Sequence, residues 1–208
     1  MDAISQPTWC FNYWQSFDDG QCLDQLFIDT INNPFNIWEI NTPNKNNFNN
    51  GHSAPNSIIT SSSLFYPTND TSRFVVINPV SRGFIEYNTA YLHGYYKVQS
   101  DSNNDFGRIE FSPDNGITWI DLIEDTVYTE YYNWTTSKPL LTGSNDWTEF
   151  HVNLTGFGEI FNYQEGDSVH FRFSFLSDSI QDSLAGLMFD DLNFTDLAWG
   201  IKERPFFT

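Results

Sequence analysis

An alternating run near the end of the chain, residues 168–176, most constrains the fold. Its sequence is SVHFRFSFL, in which every second residue is apolar: Val169, Phe171, Phe173 and Phe175. Alternation with a period of two is typical of a β-strand that buries one face. We therefore predict a strand that is central to the fold and places its phenylalanines in the core.

A second apolar run, residues 186–195, follows a connection rich in Ser and Asp. As a regular strand it would place four residues on one face: Met188, Asp190, Leu192 and Phe194. Asp190 is the unusual member, because burial of an isolated carboxylate is costly unless the charge is paired or binds a cation. We expect a nearby cation, or alternatively backbone N–H groups, to satisfy Asp190.

Further apolar segments recur along the chain and are separated by turn residues. We predict strands near residues 57–60, 73–78, 83–88, 91–99, 107–112, 117–123, 147–154, 168–176 and 186–195, and a first strand within 1–24. Regular strands without long helical patterns indicate an all-β sandwich of two antiparallel sheets. The length, 208 residues, fits a single domain over 1–208. Within it we expect a loop-rich segment at about 25–57, with one helical turn near 26–31, and a short tail at 198–208.

Composition limits the classes of partner. Twenty Phe, ten Tyr and seven Trp supply a sizeable core, and 9 basic against 27 acidic residues give a net charge of −18. Such a surface repels nucleic acid and anionic membranes and favours divalent cations. The alternative explanation of the charge is solubility alone. No apolar run is long enough for a membrane-spanning helix.

The two cysteines, Cys10 and Cys22, are compatible with a local disulfide in an oxidising compartment or with free thiols in a reducing one. Their spacing fits no common zinc pattern. The composition has an extracellular character, although no signal segment opens the chain. We expect an extracellular or cell-surface protein from which such a segment has been removed.

Four segments, in order, carry a family resemblance. They are Ser16–Gly20 (SFDDG), His52–Ser57 (HSAPNS), Asp105–Trp119 and the closing "FRFSFLSDS…GLMFDDLNF". Together they resemble the MAM-like jelly rolls of secreted bacterial proteins, including those appended to immune-inhibitor-A-type metallopeptidases. The resemblance implies a two-sheet antiparallel jelly-roll sandwich with a concanavalin-A-like fold.

The resemblance also implies a structural calcium site between the opening acidic segment and the closing Asp-Asp strand. Its implied ligands are Asp18 or Asp19, Asp24, and Asp190 or Asp191, with carbonyl oxygens from the turn at 52–57. Calcium prefers six to eight oxygen ligands of this kind. Asp18 stands where the family often has Glu, so its arm is shorter. The alternative is that the outer acids are solvated and Asp190 accepts backbone hydrogen bonds.

A second acidic loop, Asp101–Asp105 (DSNND), has oxygen-rich side chains. It lacks the glycine and the terminal glutamate of an EF-hand loop. A turn capped by Asx hydrogen bonds is therefore the preferred interpretation, and a second cation site is the alternative.

Catalytic motifs are missing from the sequence: it has no HExxH, no GxSxG, no phosphate-binding glycine loop and no redox cysteine pair. We therefore predict a protein that is not an enzyme. The alternative is a glycoside hydrolase that uses paired carboxylates, which this acidic chain would supply by chance alone.

The predicted function is a non-catalytic adhesion or carbohydrate-binding module. Tyr131, Tyr132 and Trp134 lie in a polar stretch and are candidate ligand-binding rings, because flat aromatic rings stack on sugars. Packing of these rings over a sheet is the alternative. Expected partners are a polysaccharide or a surface glycoprotein and neighbouring domains of a larger secreted protein. The alternative function is an accessory domain of a secreted metallopeptidase or other hydrolase.

Overall fold

The computed structural model describes residues 13–20, 22–80, 84, 90–164 and 166–195. Within these ranges the chain forms twelve strands, one 3-10 helix and one α-helix. The strands are β1 (Tyr13–Gln15), β2 (Leu26–Ile28), β3 (Trp38–Asn41), β4 (Ser57–Thr60), β5 (Thr71–Pro79), β6 (Tyr91–Gln99), β7 (Phe106–Ser112), β8 (Ile120–Asp121), β9 (Asn133–Trp134), β10 (Ser144–Asn153), β11 (Ser168–Leu176) and β12 (Gly186–Thr195). The 3-10 helix is Leu23–Gln25, and the α-helix, α1, is Thr155–Phe161.

The strands form two antiparallel sheets that enclose one main core. Sheet A has the order β3-β4-β12-β6-β10-β9, with β1 also paired to β12, and sheet B has the order β2-β5-β11-β7-β8. Strand β12 pairs with β4 through its first half and with β1 through its second half. The predicted all-β, two-sheet antiparallel sandwich is confirmed.

Strand β11 lies in the middle of sheet B, between β5 and β7, as its alternating pattern predicts. The four apolar residues of the pattern are all fully buried: Val169, Phe171, Phe173 and Phe175. Phe173 stacks on Phe74 of β5 with ring centroids 4.8 Å apart and meets Phe189 of β12 edge to face at 5.0 Å. This strand therefore links the two sheets through aromatic packing.

The side chains of strand β12 do not all lie on the single face that the sequence predicts. A register shift separates Asp190 from Asn193 in its pairing with β6, and Asp191 has a φ of +49°. Leu192 and Phe194 enter the main core, whereas Met188 belongs to a separate apolar cluster and pairs with Lys97. The prediction that all four residues share a face was wrong, because a β-bulge adds a residue and reverses the alternation.

That second cluster lies on the outer side of sheet A, under the loop that joins β3 to β4. It contains Phe48, Ile59, Ala185 and Met188. Lys45 of the same loop is buried, and its Nζ donates hydrogen bonds to the carbonyl oxygens of Thr60, at 2.9 Å, and of Ala185. Residues 42–56 therefore form an ordered covering loop with an apolar underside.

Several local predictions need correction. The segment 25–57 is less irregular than expected, since it contains β2 and β3, and 26–28 is a strand rather than a helical turn. Sequence patterning missed β9 and α1, and the predicted strand at 117–123 is only β8. Of the strand predicted at 83–88, only Phe84 lies in the described residues, and its backbone there is helical rather than extended. The predicted tail at 198–208 lies outside the described residues.

The structure shows the oxidation state of one of the two cysteines. Cys22 is buried and disulfide-bonded, in agreement with the oxidised alternative. Cys10, the other cysteine of the chain, lies outside the described residues.

Candidate binding face and acidic sites

The outer side of sheet A carries aromatic and polar side chains where the covering loop ends. In β6 every second residue enters the core, so Tyr91, His93 and Tyr95 lie on the outer side. His151 of β10 pairs with His93 and is likewise outside the core. Strict alternation in two neighbouring strands thus places four rings on one surface.

The row continues across the sheet through β12 to β1. Trp14 pairs with Asn193, which pairs with His93, and Trp14 is 43% exposed. Four adjacent strands contribute to this row, so it spans roughly 14 Å at the usual strand spacing. We refer to the following set as the aromatic face: Trp14, Tyr91, His93, Tyr95, His151 and Asn193.

The rings of the aromatic face support one another. His93 stands edge to face against Tyr95, with centroids 5.4 Å apart, and against His151 at 5.7 Å. Tyr91 lies 5.4 Å from His151. Such contacts restrict the rings and leave a semi-rigid surface with several hydrogen-bonding groups.

The charged side chains beside the rings carry both signs, and neither sign dominates. His93 Nε2 lies 2.9 Å from a Glu149 oxygen, and Lys97 pairs with Asp146 at 2.7 Å. Burial and the nearby His93 lower the pKa of His151, which favours its neutral imidazole. The surface is therefore suited to hydrogen bonding more than to capture of an ion.

His52 of the covering loop borders this surface. Its ring stacks on Tyr95 with centroids 3.7 Å apart and planes 13° apart, and it meets Trp147 at 5.6 Å. His52 Nδ1 also lies 2.7 Å from Asp191 Oδ2. The loop that covers one part of sheet A is thus anchored at the edge of the aromatic face.

The rings predicted to bind ligand lie elsewhere. Tyr132 is buried, with its hydroxyl donating to the Leu122 carbonyl at 3.2 Å, and Trp134 Nε1 donates to the same oxygen at 3.1 Å. Trp134 pairs with Val152, which points into the core. Tyr131 and Trp134 are half-buried and pack against the core, as the packing alternative expects. Their ligand-binding role stays a prediction.

Asp190 is fully buried beneath the covering loop, as the sequence pattern indicates. Its Oδ2 accepts hydrogen bonds from the backbone N–H groups of His52, at 2.8 Å, and Ser53, at 3.1 Å, and its Oδ1 accepts one from Asp191 at 2.7 Å. Burial raises its pKa to about 7, with the Asp191 charge adding to the shift. The alternative in which backbone groups satisfy Asp190 agrees with these contacts.

The other predicted calcium ligands are distributed around the same turn. Asp191 Oδ1 accepts from the Ser53 hydroxyl at 2.8 Å, and Asp18 Oδ1 accepts from the Asn56 N–H at 2.9 Å. The opening segment, the 52–57 turn and the closing strand therefore meet, as expected. Asp19 and Asp24 are both exposed, Asp24 on the 3-10 helix.

A different group of carboxylates forms a tighter cluster. One oxygen from each of Asp105, Asp178 and Asp182 lies within 4.8 Å of the others. Asp105 ends the acidic loop after β6, and the other two belong to the β11–β12 connection. Three side chains within metal-binding distance are thus present, in part from the loop whose preferred interpretation was an Asx-capped turn. That interpretation also applies, since Asp101 Oδ1 accepts from the Asn103 N–H at 3.1 Å.

Sequence reasoning missed both groups as units. The aromatic face had a signal, since alternate positions of YLHGYYKVQ (residues 91–99) hold Tyr91, His93 and Tyr95. The carboxylate cluster joins two loops that are far apart in sequence, and only the strand order brings them together.

Comparison with known proteins supports the fold only. No protein-family model matches the chain, and no curated protein is found to be related. The MAM-like family therefore stays a prediction. No helix in the described ranges has the length and apolar character that crossing a membrane requires.

Solved structures do resemble the chain. The K1 cleaved adhesin domain of Lys-gingipain from Porphyromonas gingivalis W83 matches with TM-score 0.50 and 14% identity, over 90% of this chain and 99% of that one. The K3 cleaved adhesin domain of the same protein matches with TM-score 0.50 and 14% identity, over 88% and 97%. A non-crystalline-cellulose-specific carbohydrate-binding module, CBM28, matches at TM-score 0.44 with 14% identity, over 88% and 94%. The chain has the β-sandwich fold of the K1 and K3 adhesin domains.

Proposed function

We propose that this chain is a non-catalytic extracellular module that binds a polysaccharide or the glycan of a surface glycoprotein through the aromatic face. The observation that carries the proposal is the row from Trp14 to His151 on the outer side of sheet A, beside the covering loop. A β-sandwich needs no rings on a solvent-facing side, because its core is already filled by other aromatic residues.

Sugars suit this surface on chemical grounds. Aromatic rings present flat apolar area to the C–H groups of a sugar ring, and the histidines, Asn193 and Glu149 supply hydrogen-bond donors and acceptors at the same level. The net charge of −18 disfavours strongly acidic polymers. Neutral polysaccharides are therefore the favoured class.

An extracellular location has separate support. Cys22 is disulfide-bonded, and structural disulfides persist in oxidising compartments. The fold is that of adhesin domains with TM-scores of 0.50, which is compatible with this location.

A glycan array followed by titration calorimetry tests the proposal. Trp14→Ala and His93→Ala should each reduce binding of the strongest neutral glycan by about three- to tenfold or more, the effect of losing one ring contact. Trp119→Ala is the matched control, because this ring lies on sheet B over Arg172, 4.1 Å from its guanidinium carbon. It should leave affinity unchanged.

Three other outcomes have distinct meanings. Loss of binding in Trp134→Ala but not in Trp14→Ala would move the site to the rings predicted from sequence. No binding to any glycan would favour the accessory-domain alternative. Release of reducing ends from a bound polysaccharide would indicate the hydrolase alternative.

Calcium at the turn between Asp18 and Asp191 is the second part of the proposal. It is supported by two adjacent, mostly buried carboxylates, Asp190 and Asp191, that meet the opening segment through residues 52–56. The proposed ligands are Asp18, Asp19, Asp24, Asp190 and Asp191. EDTA should lower Tm by several degrees, calcium should restore it, and Asp191→Asn should reduce this response. An EDTA-insensitive melt would contradict it.

A further inference from the structure

We infer that Asp105, Asp178 and Asp182 form a divalent-cation site of calcium type at one end of the sandwich. This site is distinct from the turn at Asp190 and does not depend on glycan binding. It would bind an ion between the β6–β7 loop and the β11–β12 connection.

The geometry of the carboxylates fits a calcium ion. The three oxygens lie no more than 4.8 Å apart, a separation that ligands of one calcium ion can have, since Ca–O distances are about 2.3–2.6 Å. Mg²⁺ requires shorter bonds in a stricter octahedron and retains its water more firmly. The oxygen-only donor set also excludes the softer metals that prefer nitrogen or sulfur ligands.

One oxygen of the cluster lacks a partner. Asp182 Oδ2 is buried and has no hydrogen-bond partner in the described part of the chain. A buried carboxylate oxygen without a donor is costly, and a cation would remove that cost. Asp182 Oδ2 therefore requires a donor or a cation, which the oxygens of solvated acids do not.

The surrounding charge adds to this requirement. Asp101 lies in the same β6–β7 loop as Asp105, so its charge adds to those of the three carboxylates. Among the described residues, no Lys, Arg or His forms an ion pair with these acids. Four neighbouring aspartates thus lack a positive counter-charge, which a divalent ion would supply.

The central ligand is held in place before any ion binds. Asp105 is fully buried; its Oδ2 accepts from the Tyr66 hydroxyl at 2.5 Å, and its Oδ1 accepts from the Asp178 N–H at 2.8 Å. Hydroxyls of Ser100 and Thr142 donate to the Asp105 carbonyl at 2.9 and 2.7 Å. Each carboxylate oxygen retains a lone pair for a metal, so these bonds orient the ligand without consuming it.

Calcium titration of the full chain tests the site, with Glu159→Gln on the exposed surface of α1 as the charge-matched control. Asp182→Asn and Asp178→Asn should each remove one bound Ca²⁺ per chain, or weaken it by about tenfold or more, since ligand charge sets affinity. Asp191→Asn should leave this ion in place. If the proposed site at Asp191 fails, wild type binds one ion and Asp182→Asn binds none.

Thermal melts without and with calcium distinguish a metal ligand from a residue that has only a structural role. Without calcium, Asp182→Asn should have a Tm equal to or above that of wild type, because it removes repulsion among acids. With calcium, the order should reverse. Unchanged calcium stoichiometry and affinity in both Asp178→Asn and Asp182→Asn would overturn the assignment, as would a wild-type protein that binds no calcium at millimolar concentration.

Discussion

The His52 ring stacks on Tyr95 with centroids 3.7 Å apart and planes 13° apart. This contact joins the end of the covering loop to the aromatic face, and the Asp191 carboxylate fixes the other side of the imidazole at 2.7 Å. We therefore expect the loop and the proposed binding surface to be energetically coupled.

A double-mutant cycle with His52→Ala and Tyr95→Ala should measure that coupling. We expect an interaction free energy of about 0.5–1.5 kcal/mol in urea denaturation, the range for paired aromatic rings. The ion pair with Asp191 should add little, because His52 is partly exposed. Strictly additive losses would mean that the two rings do not support each other in solution.

Gly51→Ala should destabilise the covering loop. A Cβ at this position would lie 2.3 Å from the Ser53 carbonyl oxygen, 2.4 Å from that of Asn56 and 2.9 Å from Asp190 Oδ2. Overpacking of this kind costs roughly 1–3 kcal/mol. Hydrogen exchange should report faster opening of residues 42–56. The exchange rates of the β11 amides should not change once the difference in global stability between the two proteins is accounted for.

Phe173→Ala should be among the most damaging core substitutions. Its ring is fully buried between Phe74 and Phe189, so truncation leaves a cavity and costs about 3–5 kcal/mol. The free energy of unfolding from urea melts provides the measurement. Phe27→Ala is the control, since that ring is 49% exposed, and a similar loss in both variants would contradict the central position of β11.

Arg172→Ala should destabilise sheet B because it leaves the Glu110 carboxylate without its counter-charge. Arg172 forms a two-point pair with Glu110, with both N···O distances 2.6 Å, and the side chains are 17% and 6% exposed. Removing the cation leaves Glu110 nearly buried, with the Ser174 hydroxyl, at 3.2 Å, as its one remaining side-chain donor among the described residues. We expect a loss of roughly 2–4 kcal/mol. The double variant Arg172→Met with Glu110→Leu should recover part of it, and no recovery would contradict this explanation.

Stability should decrease in mild acid through His170. Burial lowers its pKa, so the unfolded chain takes up a proton at a higher pH than the folded chain. The contribution is complete above about pH 6.5, the unfolded value, and is lost as pH falls through the lower folded value. Urea melts at pH 7.5 and pH 5 should show a smaller decrease in His170→Gln than in wild type. An equal decrease in the two proteins would assign the pH dependence to other groups, such as the many carboxylates.

Local sequence determined the strands that alternate most regularly. The bounds of β6, β11 and β12 agree with the predictions, because burial of one sheet face imposes a period of two that short-range patterning reveals. The same pattern singled out Asp190 as a carboxylate that needs a partner, although it placed this residue on the wrong face of the strand.

Tertiary structure decided which faces these strands present and which loops meet. The bulge at Asp191 moved Met188 and Asp190 to the outer side of sheet A, and the covering loop then buried them. Trp134 looked exposed in a polar stretch, but its pairing with Val152 turned it toward the core. Asp105 and Asp182 lie 77 positions apart in the chain and converge only because both loops leave the same end of the sandwich. Sequence reports which residues prefer burial through local periodicity, whereas contacts across the sheet depend on strand order and register, which arise from packing of the whole chain.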